Sequence, residues 1–350
     1  MQPDDRQFPG RDQPITLVAA ADEGYALPLA VSIRSAIGRL GPGARVQVFV
    51  IDGGITPASR KRLTDSWRDE RCTVEWRTLE TPRLAEFAIS DHVTRTTYAR
   101  LLLDEMLPSD LGRAIYIDAD VLVRRDLGLL WNEPFGGATA LAVTDVAAPR
   151  IDAEIGLSNF SRCGPLLAAA RPVANYRELG LAADAPYLNA GLLVIDLDRW
   201  RREQIGPRCL DALRRHREHV LWWDQYALNV VLAGQWRPLD PRWNQGAAVY
   251  NYPSWDASPF DQATFDAVRN DPWIVHFCSP RKPWHLFCDH PRSPEFVAAV
   301  GRTAWTGWRP TPRETWLADW WQHRGEPVRD RIRSQVRAWR QTVKRVLLAA

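Results

Sequence analysis

Short apolar runs alternate with amphipathic segments along the first half of the chain. Four runs are predicted to form strands, at residues 15–20, 46–51, 73–76 and 114–117, and the first and last of them are typical of buried strands. Residues 26–39 carry apolar side chains at helical spacing before Gly41-Pro42-Gly43 interrupts the pattern. Thr56-Pro57 supplies an N-cap and a first-turn proline for a helix through Trp67. This alternation predicts an α/β fold with a mostly parallel, doubly wound sheet flanked by helices.

The rest of the chain, including one further element of the first half, has a less regular pattern. Residues 98–106 are predicted to form an amphipathic helix. After Asp145 the alternation stops for about forty residues, which is longer than a compact fold leaves as one structureless loop without a function. We interpret that segment as a mixture of helices and loops. The remaining predicted elements are a strand at 192–197, helices at 199–217 and 224–232, and a strand at 273–277 followed by a basic loop.

Two aspartates follow one of the predicted buried strands. Asp118 and Asp120 come directly after residues 114–117, at the carboxyl end of the strand, where open α/β sheets bind their ligands. Because the strand end relaxes into a turn, both carboxylates can reach one divalent cation, and their hard oxygens suit Mg²⁺ or Mn²⁺. His276 lies at the end of the last predicted strand and could complete the protein ligands, and its imidazole favours Mn²⁺.

The residues alone leave other interpretations of this region open. An isolated Asp-x-Asp is more often a polar turn than a metal site. A strand followed by Asp-x-Asp-x-Val also resembles haloacid dehalogenase-like phosphatases, although their motif follows the first strand of the domain and here it follows about the fourth. His276, Cys278, His285, Cys288 and His290 offer zinc ligands, but their spacing matches no common finger or ribbon.

Composition excludes some classes of protein without selecting a function. The chain has 350 residues, of which 45% are hydrophobic and 25% charged, a balance typical of a globular protein rather than a disordered one. Its five cysteines include no Cys-x-x-Cys pair, so reduced thiols are a simpler interpretation than a disulfide framework. No apolar run reaches the ~20 residues of a transmembrane helix, and Met1 to Asp12 does not resemble a signal peptide, so we expect a cytoplasmic location.

The basic charge is concentrated near the C-terminus. Residues 324–345 hold eight basic and two acidic side chains and contribute +6 to a formal net charge of +3, so the rest of the chain is net acidic. From Pro327 onward, apolar residues such as Val328, Ile332 and Trp339 fall on one helical stripe. A basic amphipathic helix of this kind predicts either docking on an anionic membrane surface or packing against the rest of the protein. Nucleic acid is a less suitable partner, because the remaining chain is acidic.

Five blocks of sequence, taken in order, carry a resemblance to a known family. They are V-A-A-A-D-E-G-Y at 18–25, T-T-Y-A-R-L at 96–101, Y-I-D-A-D at 116–120, Y-L-N-A-G-L at 187–192 with W-D-Q-Y-A-L-N at 223–229, and H-F-C-S-P-R-K-P-W at 276–284. Together they resemble the retaining nucleotide-sugar glycosyltransferases of family 8, the group of glycogenin and the bacterial lipopolysaccharide galactosyl- and glucosyltransferases. The resemblance implies a GT-A fold and transfer of a hexose, galactose or glucose, from a UDP-sugar to a saccharide acceptor.

The resemblance also implies roles for individual residues. Asp118, Asp120 and His276 would bind the Mn²⁺ or Mg²⁺. The donor would be bound by Ala20, Asp22, Tyr25, Val93, Arg100, Ala119, Asn189, Ala190, Asp224, Gln225, Ser279 and Lys282, with Asp22 and Tyr25 at the uracil base. Because Gln225 is a poor nucleophile, we expect a front-face displacement in which Gln225 and Asp224, the two candidate catalytic residues, hold the sugar. For Asp224 an N-cap role at the start of a helix is an equally good interpretation.

Two positions depart from the family pattern. Gly24 stands where the family usually has Asn, and Ser279 stands where it usually has Gly. Since neither change removes a metal ligand, both bear on the identity of the donor more than on the type of reaction.

Four segments are predicted along the chain. They are an N-terminal arm at 1–14, a nucleotide-sugar-binding half at 15–145, an acceptor-binding half with a donor-capping loop at 146–300, and a Trp/Arg-rich membrane-association tail at 301–350. The predicted function is that of a metal-dependent hexosyltransferase, peripheral on the inner face of the cytoplasmic membrane, whose acceptor is lipopolysaccharide or another glycolipid. The competing hypothesis is a scaffold that binds sugar nucleotides or glycans without turnover.

Overall fold

The computed structural model describes residues 13–80, 84–87 and 94–310. Within these ranges the strands are β1 Ile15–Ala21, β2 Val46–Asp52, β3 Cys72–Thr78, β4 Arg113–Ile117, β5 Val121–Val123, β6 Ala140–Thr144, β7 Leu188–Asp196, β8 Trp236–Pro238, β9 Gln245–Gly246 and β10 Ile274–His276. The α-helices are α1 Ala26–Ile37, α2 Pro57–Ser66, α3 Leu103–Met106, α4 Leu127–Trp131, α5 Ala153–Gly156, α6 Phe160–Cys163, α7 Leu197–Arg202, α8 Ile205–Arg215, α9 Trp223–Val231, α10 Gln262–Asn270 and α11 Ser293–Val300.

Seven of these strands form one sheet in the order β3-β2-β1-β4-β7-β6-β8. The first four are mutually parallel, and β6 is parallel to β8. In contrast, β7 pairs antiparallel with both β4 and β6, so it enters the sheet at the edge where those two strands end. The predicted, mostly parallel α/β sheet is therefore confirmed, with one reversed strand at its centre. A second, three-stranded sheet has the order β5-β10-β9.

The central strands are apolar on both faces because both faces are covered. In β1, the side chain of Leu17 packs into a core with α1, whereas that of Val18 packs on the opposite face with α8 and α9. In β4, the side chain of Ile115 lies on the same face as Leu17, and that of Tyr116 lies on the same face as Val18. This double burial explains why these strands are continuous apolar runs in the sequence rather than alternating ones.

Most predicted elements of the first half are confirmed. The hydroxyl of Thr56 caps α2 by accepting a hydrogen bond from the backbone N–H of Ser59 at 3.2 Å. The predicted helix at 98–106 is mainly a 3-10 helix, Arg95–Leu102, which continues into α3.

In the second half of the chain, the prediction of one long helix at 199–217 is wrong. Gln204 adopts a left-handed backbone conformation with φ of 52° and separates α7 from α8.

The irregular segment after Asp145 contains α5, α6 and turns organised around one buried carboxylate. The side chain of Asp152 is fully buried and accepts hydrogen bonds from Arg171 Nε at 2.8 Å and Tyr176 Oη at 3.1 Å. It also caps α5 through the N–H of Glu154. One buried acceptor thus ties together segments that have little regular structure of their own.

Some predictions fall outside the described residues, namely Val93, most of the N-terminal arm and the basic helix predicted from Pro327. None of the helices in the described ranges is long and apolar enough to cross a membrane. The predicted division at residue 145 remains a prediction, and the seven-stranded sheet takes strands from both sides of it.

Candidate active site

Three strand ends meet at one edge of the large sheet. Asp118 follows the carboxyl end of β4, and Asp145 follows that of β6. Between them β7 begins, because it runs in the opposite direction, and its first residues include Asn189 and Gly191. The register of β6 and β7 shifts between Ala142 and Val143, which leaves the backbone around Gly191 outside that pairing. The topology therefore gathers the polar residues of three separate sequence blocks at one place.

The small sheet brings the histidine to the same place. In the β5-β10 ladder His276 pairs with Val121, so its ring lies beside Asp120. His276 Nε2 is 3.3 Å from Asp120 Oδ1 and 3.7 Å from Asp118 Oδ2. Among the residues that the structure describes, this is the one group of three acidic, histidine or cysteine side chains whose ligand atoms converge, all within 4.8 Å of one another. The alternative zinc set around Cys278 does not assemble in the described part of the chain.

The outward oxygen of each aspartate is held by a basic side chain. Arg100 Nη2 lies 2.8 Å from Asp118 Oδ1, and Lys282 Nζ lies 2.6 Å from Asp120 Oδ2. Burial opposes ionisation of Asp120, but the charge of Lys282 and its hydrogen bond outweigh this effect and hold the pKa of this carboxyl far below its usual range. Asp120 is therefore ionised at neutral pH.

The remaining ligand atoms fit a divalent cation. The inward oxygens of Asp118 and Asp120 and the imidazole Nε2 of His276 point at a common position. Two carboxylate oxygens with one imidazole nitrogen form a donor set suited to Mn²⁺, and also to Mg²⁺ with less preference for the nitrogen. The residues present thus fit the metal that the family resemblance implies.

Arg100 connects the metal cluster to a second acid. Its guanidinium is buried, stacks at 4.6 Å over the ring of Tyr116 and donates to the carbonyl of Ala190. Asp224 Oδ2 lies 2.9 Å from Arg100 Nε, but at an angle that gives no hydrogen bond, and it receives none from any other described group. Burial raises the pKa of Asp224 to about 6, against the opposing charge of Arg100. One oxygen of this buried carboxylate is therefore ion-paired with Arg100 but accepts no hydrogen bond in the described part of the chain.

Gln225 is held at both ends of its amide. Its Oε1 accepts from the backbone N–H of Ala190 at 3.0 Å, and its Nε2 donates to Asp145 Oδ2 at 2.9 Å. One turn further along α9, the side chain of Asn229 bonds both the N–H and the C=O of Leu188. These contacts fix α9 against the start of β7 and place Gln225 beside the metal cluster.

The opposite end of the site is covered by the loop after β10. Trp284 packs edge-on against Tyr25 with ring centroids 5.6 Å apart, and Lys282 Nζ also donates to the carbonyl of Phe277 at 2.8 Å. Burial raises the pKa of Tyr25 to about 12, so its phenol is neutral at physiological pH. The loop thus closes over a tyrosine and presents one buried ammonium group to the cavity.

These features line a single cavity of about 1120 Å³. Every predicted site residue that the structure describes lies on its wall: Ala20, Asp22, Tyr25, Arg100, Asp118, Ala119, Asp120, Asn189, Ala190, Asp224, Gln225, His276, Ser279 and Lys282. The structure therefore brings the predicted residues together, and Val93 lies outside the described ranges.

Two residues with central contacts were not predicted from sequence. Asp145 receives hydrogen bonds from both Asn189 and Gln225, and Asn244 bonds Asn189 and His276. Asp145 follows the apolar run of β6, so a carboxylate at a strand end was a signal that could have identified it. Asn244 lies in a 3-10 helix before the two-residue strand β9 and has no comparable signal.

Comparison with known proteins gives a consistent assignment. Residues 16–288 match the model of glycosyl transferase family 8. General stress protein A of Bacillus subtilis is 26% identical over 298 residues, which cover 84% of this chain and 96% of that protein. The lipopolysaccharide 1,3-galactosyltransferase of Salmonella typhimurium is 25% identical over 232 residues, which cover 65% of this chain and 60% of that enzyme.

The solved structures agree with the sequence relatives. The crystal structure of the galactosyltransferase LgtC in complex with donor and acceptor sugar analogs matches with a TM-score of 0.67 at 26% identity, over 83% of this chain and 96% of LgtC. The fold is thus the GT-A fold, as the sequence blocks predicted. Since the family model spans more than three quarters of the sequence, this chain is a glycosyltransferase and belongs to glycosyltransferase family 8.

Proposed function

We propose that the protein is a metal-dependent, retaining hexosyltransferase. Its donor is UDP-galactose or UDP-glucose, and its acceptor is a saccharide on lipopolysaccharide or another glycolipid. The observation that carries the proposal is the convergence of Asp118, Asp120 and His276 on one position inside the large cavity. Relatives named as lipopolysaccharide glucosyl- and galactosyltransferases support the choice of donor and acceptor class.

The chain's own residues account for the binding of a nucleoside diphosphate sugar. Asp22 and Tyr25, at the end of the cavity covered by Trp284, suit the base. Lys282 supplies a buried positive charge for the diphosphate, and the loop that carries it excludes water from the leaving group. Asp118, Asp120 and His276 would hold a divalent cation, which would supply further neutralisation of the departing diphosphate.

The sugar would lie against Asp224 and Gln225. Both ends of the Gln225 amide are already hydrogen-bonded, which makes it a positioned dipole rather than a nucleophile. Asp224 lines the cavity, and one of its oxygens accepts no hydrogen bond from the described residues, so it can accept one from a sugar hydroxyl; its negative charge stabilises positive charge that develops on the ring. We infer a front-face displacement in which the departing phosphate receives the proton of the acceptor hydroxyl.

Slow donor hydrolysis provides the direct test. With Mn²⁺ and either UDP-hexose, the wild-type protein should release UDP, and Asp120→Ala should abolish the release because a metal ligand is lost. Asp211→Ala is the matched control, since it removes an exposed carboxylate of α8 whose ion-pair partner in the described part of the chain is the exposed Arg215. If the wild type binds UDP but releases none from any UDP-sugar, the scaffold hypothesis is favoured. Hydrolysis of a phosphomonoester that is lost in Asp118→Asn would instead favour a phosphatase.

Membrane association through the C-terminal segment is a separate part of the proposal. It is supported by the eight basic residues at 324–345 and by their amphipathic spacing. Deleting residues 326–350 should abolish sedimentation with anionic liposomes and leave donor hydrolysis intact. Undiminished liposome binding by the truncated protein would contradict it.

A further inference from the structure

The imidazole of His276 is held by a hydrogen bond at the nitrogen that faces away from the two aspartates. The ring is buried, and its Nδ1 lies 2.9 Å from Oδ1 of Asn244, whose side chain is also buried. The opposite nitrogen, Nε2, faces the two aspartates. A neutral imidazole carries one proton, so the partner of Nδ1 decides whether Nε2 is a donor or a ligand.

Neighbouring contacts fix which way each amide points. The backbone N–H of Gly191 can only donate, and it lies 2.9 Å from Asn189 Oδ1, so that atom is the oxygen. The Nδ2 of Asn189 then donates to the carboxylate of Asp145 at 2.9 Å, and a carboxylate can only accept. Both ends of the Asn189 amide are therefore determined independently of any other amide or histidine.

The same logic extends to His276. Asn244 lies 2.9 Å from Asn189 Oδ1, an acceptor, so Asn244 must present its Nδ2 there. Its Oδ1 consequently faces His276 Nδ1, which must carry the proton. The Nε2 of neutral His276 is then left with a lone pair directed at two carboxylate oxygens, and a bound cation would satisfy all three of these acceptors.

We propose that Asn244 is a positioning residue that holds His276 in its metal-binding tautomer through the chain Asp145–Asn189–Asn244. This inference rests on the proposed metal-dependent function and extends it to residues that do not touch the metal. Orientation of a metal histidine by a hydrogen bond at its other nitrogen is a general requirement of such sites.

Asp145 links this series of hydrogen bonds to a second functional residue, Gln225. The same oxygen, Oδ2, that accepts from Asn189 also accepts from Gln225 Nε2 at 2.9 Å. Its other oxygen is held by the backbone N–H of Ala147 at 2.8 Å. One anchored carboxylate therefore fixes both the orientation of the metal histidine and the position of Gln225, so the two ends of the reaction centre are set relative to each other.

The first experiment determines the tautomer in the wild-type full-length chain. In protein labelled with ¹⁵N-histidine, without metal and at a pH where His276 is neutral, Nδ1 of His276 should show the shift and one-bond coupling of a protonated nitrogen. Nε2 should show those of an unprotonated one, with signals assigned by their loss in His276→Ala. A protonated Nε2 in the neutral ring would overturn the proposal.

The second experiment measures Mn²⁺ binding directly, by calorimetry and by the electron paramagnetic resonance signal of free Mn²⁺. Asn244→Leu should weaken binding about 10- to 100-fold, the usual effect of losing such a partner, and should move the proton of neutral His276 to Nε2. Asn175→Leu is the control, because Asn175 is equally buried, bonds Tyr226 and also lies beside a histidine, His216, away from the aspartates.

The outcomes separate this inference from the function on which it rests. Weakened Mn²⁺ binding and a changed tautomer in Asn244→Leu, with Asn175→Leu like the wild type in both, support the role of Asn244. Equal Mn²⁺ affinity of Asn244→Leu and wild type overturns that role while leaving the proposed function intact. A wild-type protein that binds neither Mn²⁺ nor Mg²⁺ overturns both.

Discussion

A single methyl group at residue 191 should disable the metal centre. A Cβ added to Gly191 would lie 2.3 Å from Cε1 and 2.8 Å from Nδ1 of His276, and 3.0 Å from Asp118 Oδ2. Carbon atoms in contact are normally ~3.5 to 4.0 Å apart, so the ring must retreat by about 1 Å or more. Metal–ligand distances tolerate only about 0.2 Å, so Gly191→Ala should lose most of its Mn²⁺ affinity.

The magnitude can be estimated for both stability and activity. Overpacking of this kind costs about 1–3 kcal/mol of the free energy of unfolding, which corresponds to a fall in Tm of several degrees, about 2–4 °C for each kcal/mol. A reacting group displaced by about 1 Å costs about 100-fold in rate, so UDP release should fall by at least that factor.

The assay compares two glycines that face different neighbours. Gly246 pairs directly with His276 in the small sheet, but a Cβ there would meet the end of the Val146 side chain at 3.1 Å and not the imidazole. By calorimetry, Gly246→Ala should bind Mn²⁺ within about threefold of wild type, because the same added methyl group makes a milder contact there and does not displace the imidazole. If Gly191→Ala is folded and binds Mn²⁺ as tightly as wild type, the placement of His276 against Gly191 is refuted.

Three further predictions concern stability. Relative to Asp224→Asn, the wild-type free energy of unfolding should fall as pH rises from 3.8 to about 6 and then level off, because the folded state keeps the Asp224 proton to a higher pH than the unfolded chain. Urea titrations at several pH values measure this, and a difference that grows with pH would contradict it. Asn229→Leu leaves the N–H and C=O of Leu188 unpaired and should cost about 3 kcal/mol in the same titrations, whereas a loss below about 1 kcal/mol would contradict the contact. Gln204→Gly should raise the free energy of unfolding by up to about 1 kcal/mol, because Gln204 is exposed and has φ of 52°, and a lower Tm would show that its side chain contributes more than the relieved strain.

The helices and strands were predicted most accurately where the local hydrophobic pattern is strongest. β1, β2 and β4 are continuous apolar runs buried on both faces, and each was located to within one residue or two. β7 begins at Leu188, four residues before the predicted strand, because its first residues serve the site and are not uniformly apolar. The break at Gln204 comes just before Gly206 and Pro207, which interrupt a helical pattern or begin a new helix, but the sequence interpretation passed over this signal and predicted one helix where two exist.

In the candidate site, too, the residues with a local sequence signal were predicted and a residue without one was missed. Asp118, Asp120 and His276 were predicted together because strand ends in an α/β fold converge and because the family motif names these positions. Asn244 was missed because its role depends on a chain of amide hydrogen bonds that links three distant parts of the sequence.

The sequence by itself determined the family, the α/β class and the residue types that could bind a cation and a nucleotide sugar, because these depend on local hydrophobic pattern and on short motifs. Only the tertiary structure decided that β7 runs against its neighbours, that Arg100 joins Asp118 to Asp224, and that Asn244 orients His276. Those features depend on strand direction and on the geometry of polar contacts between residues as far apart in sequence as Arg100 and Asp224. The local pattern of a sequence does not determine strand direction or contact geometry, because both are set when distant segments pack together.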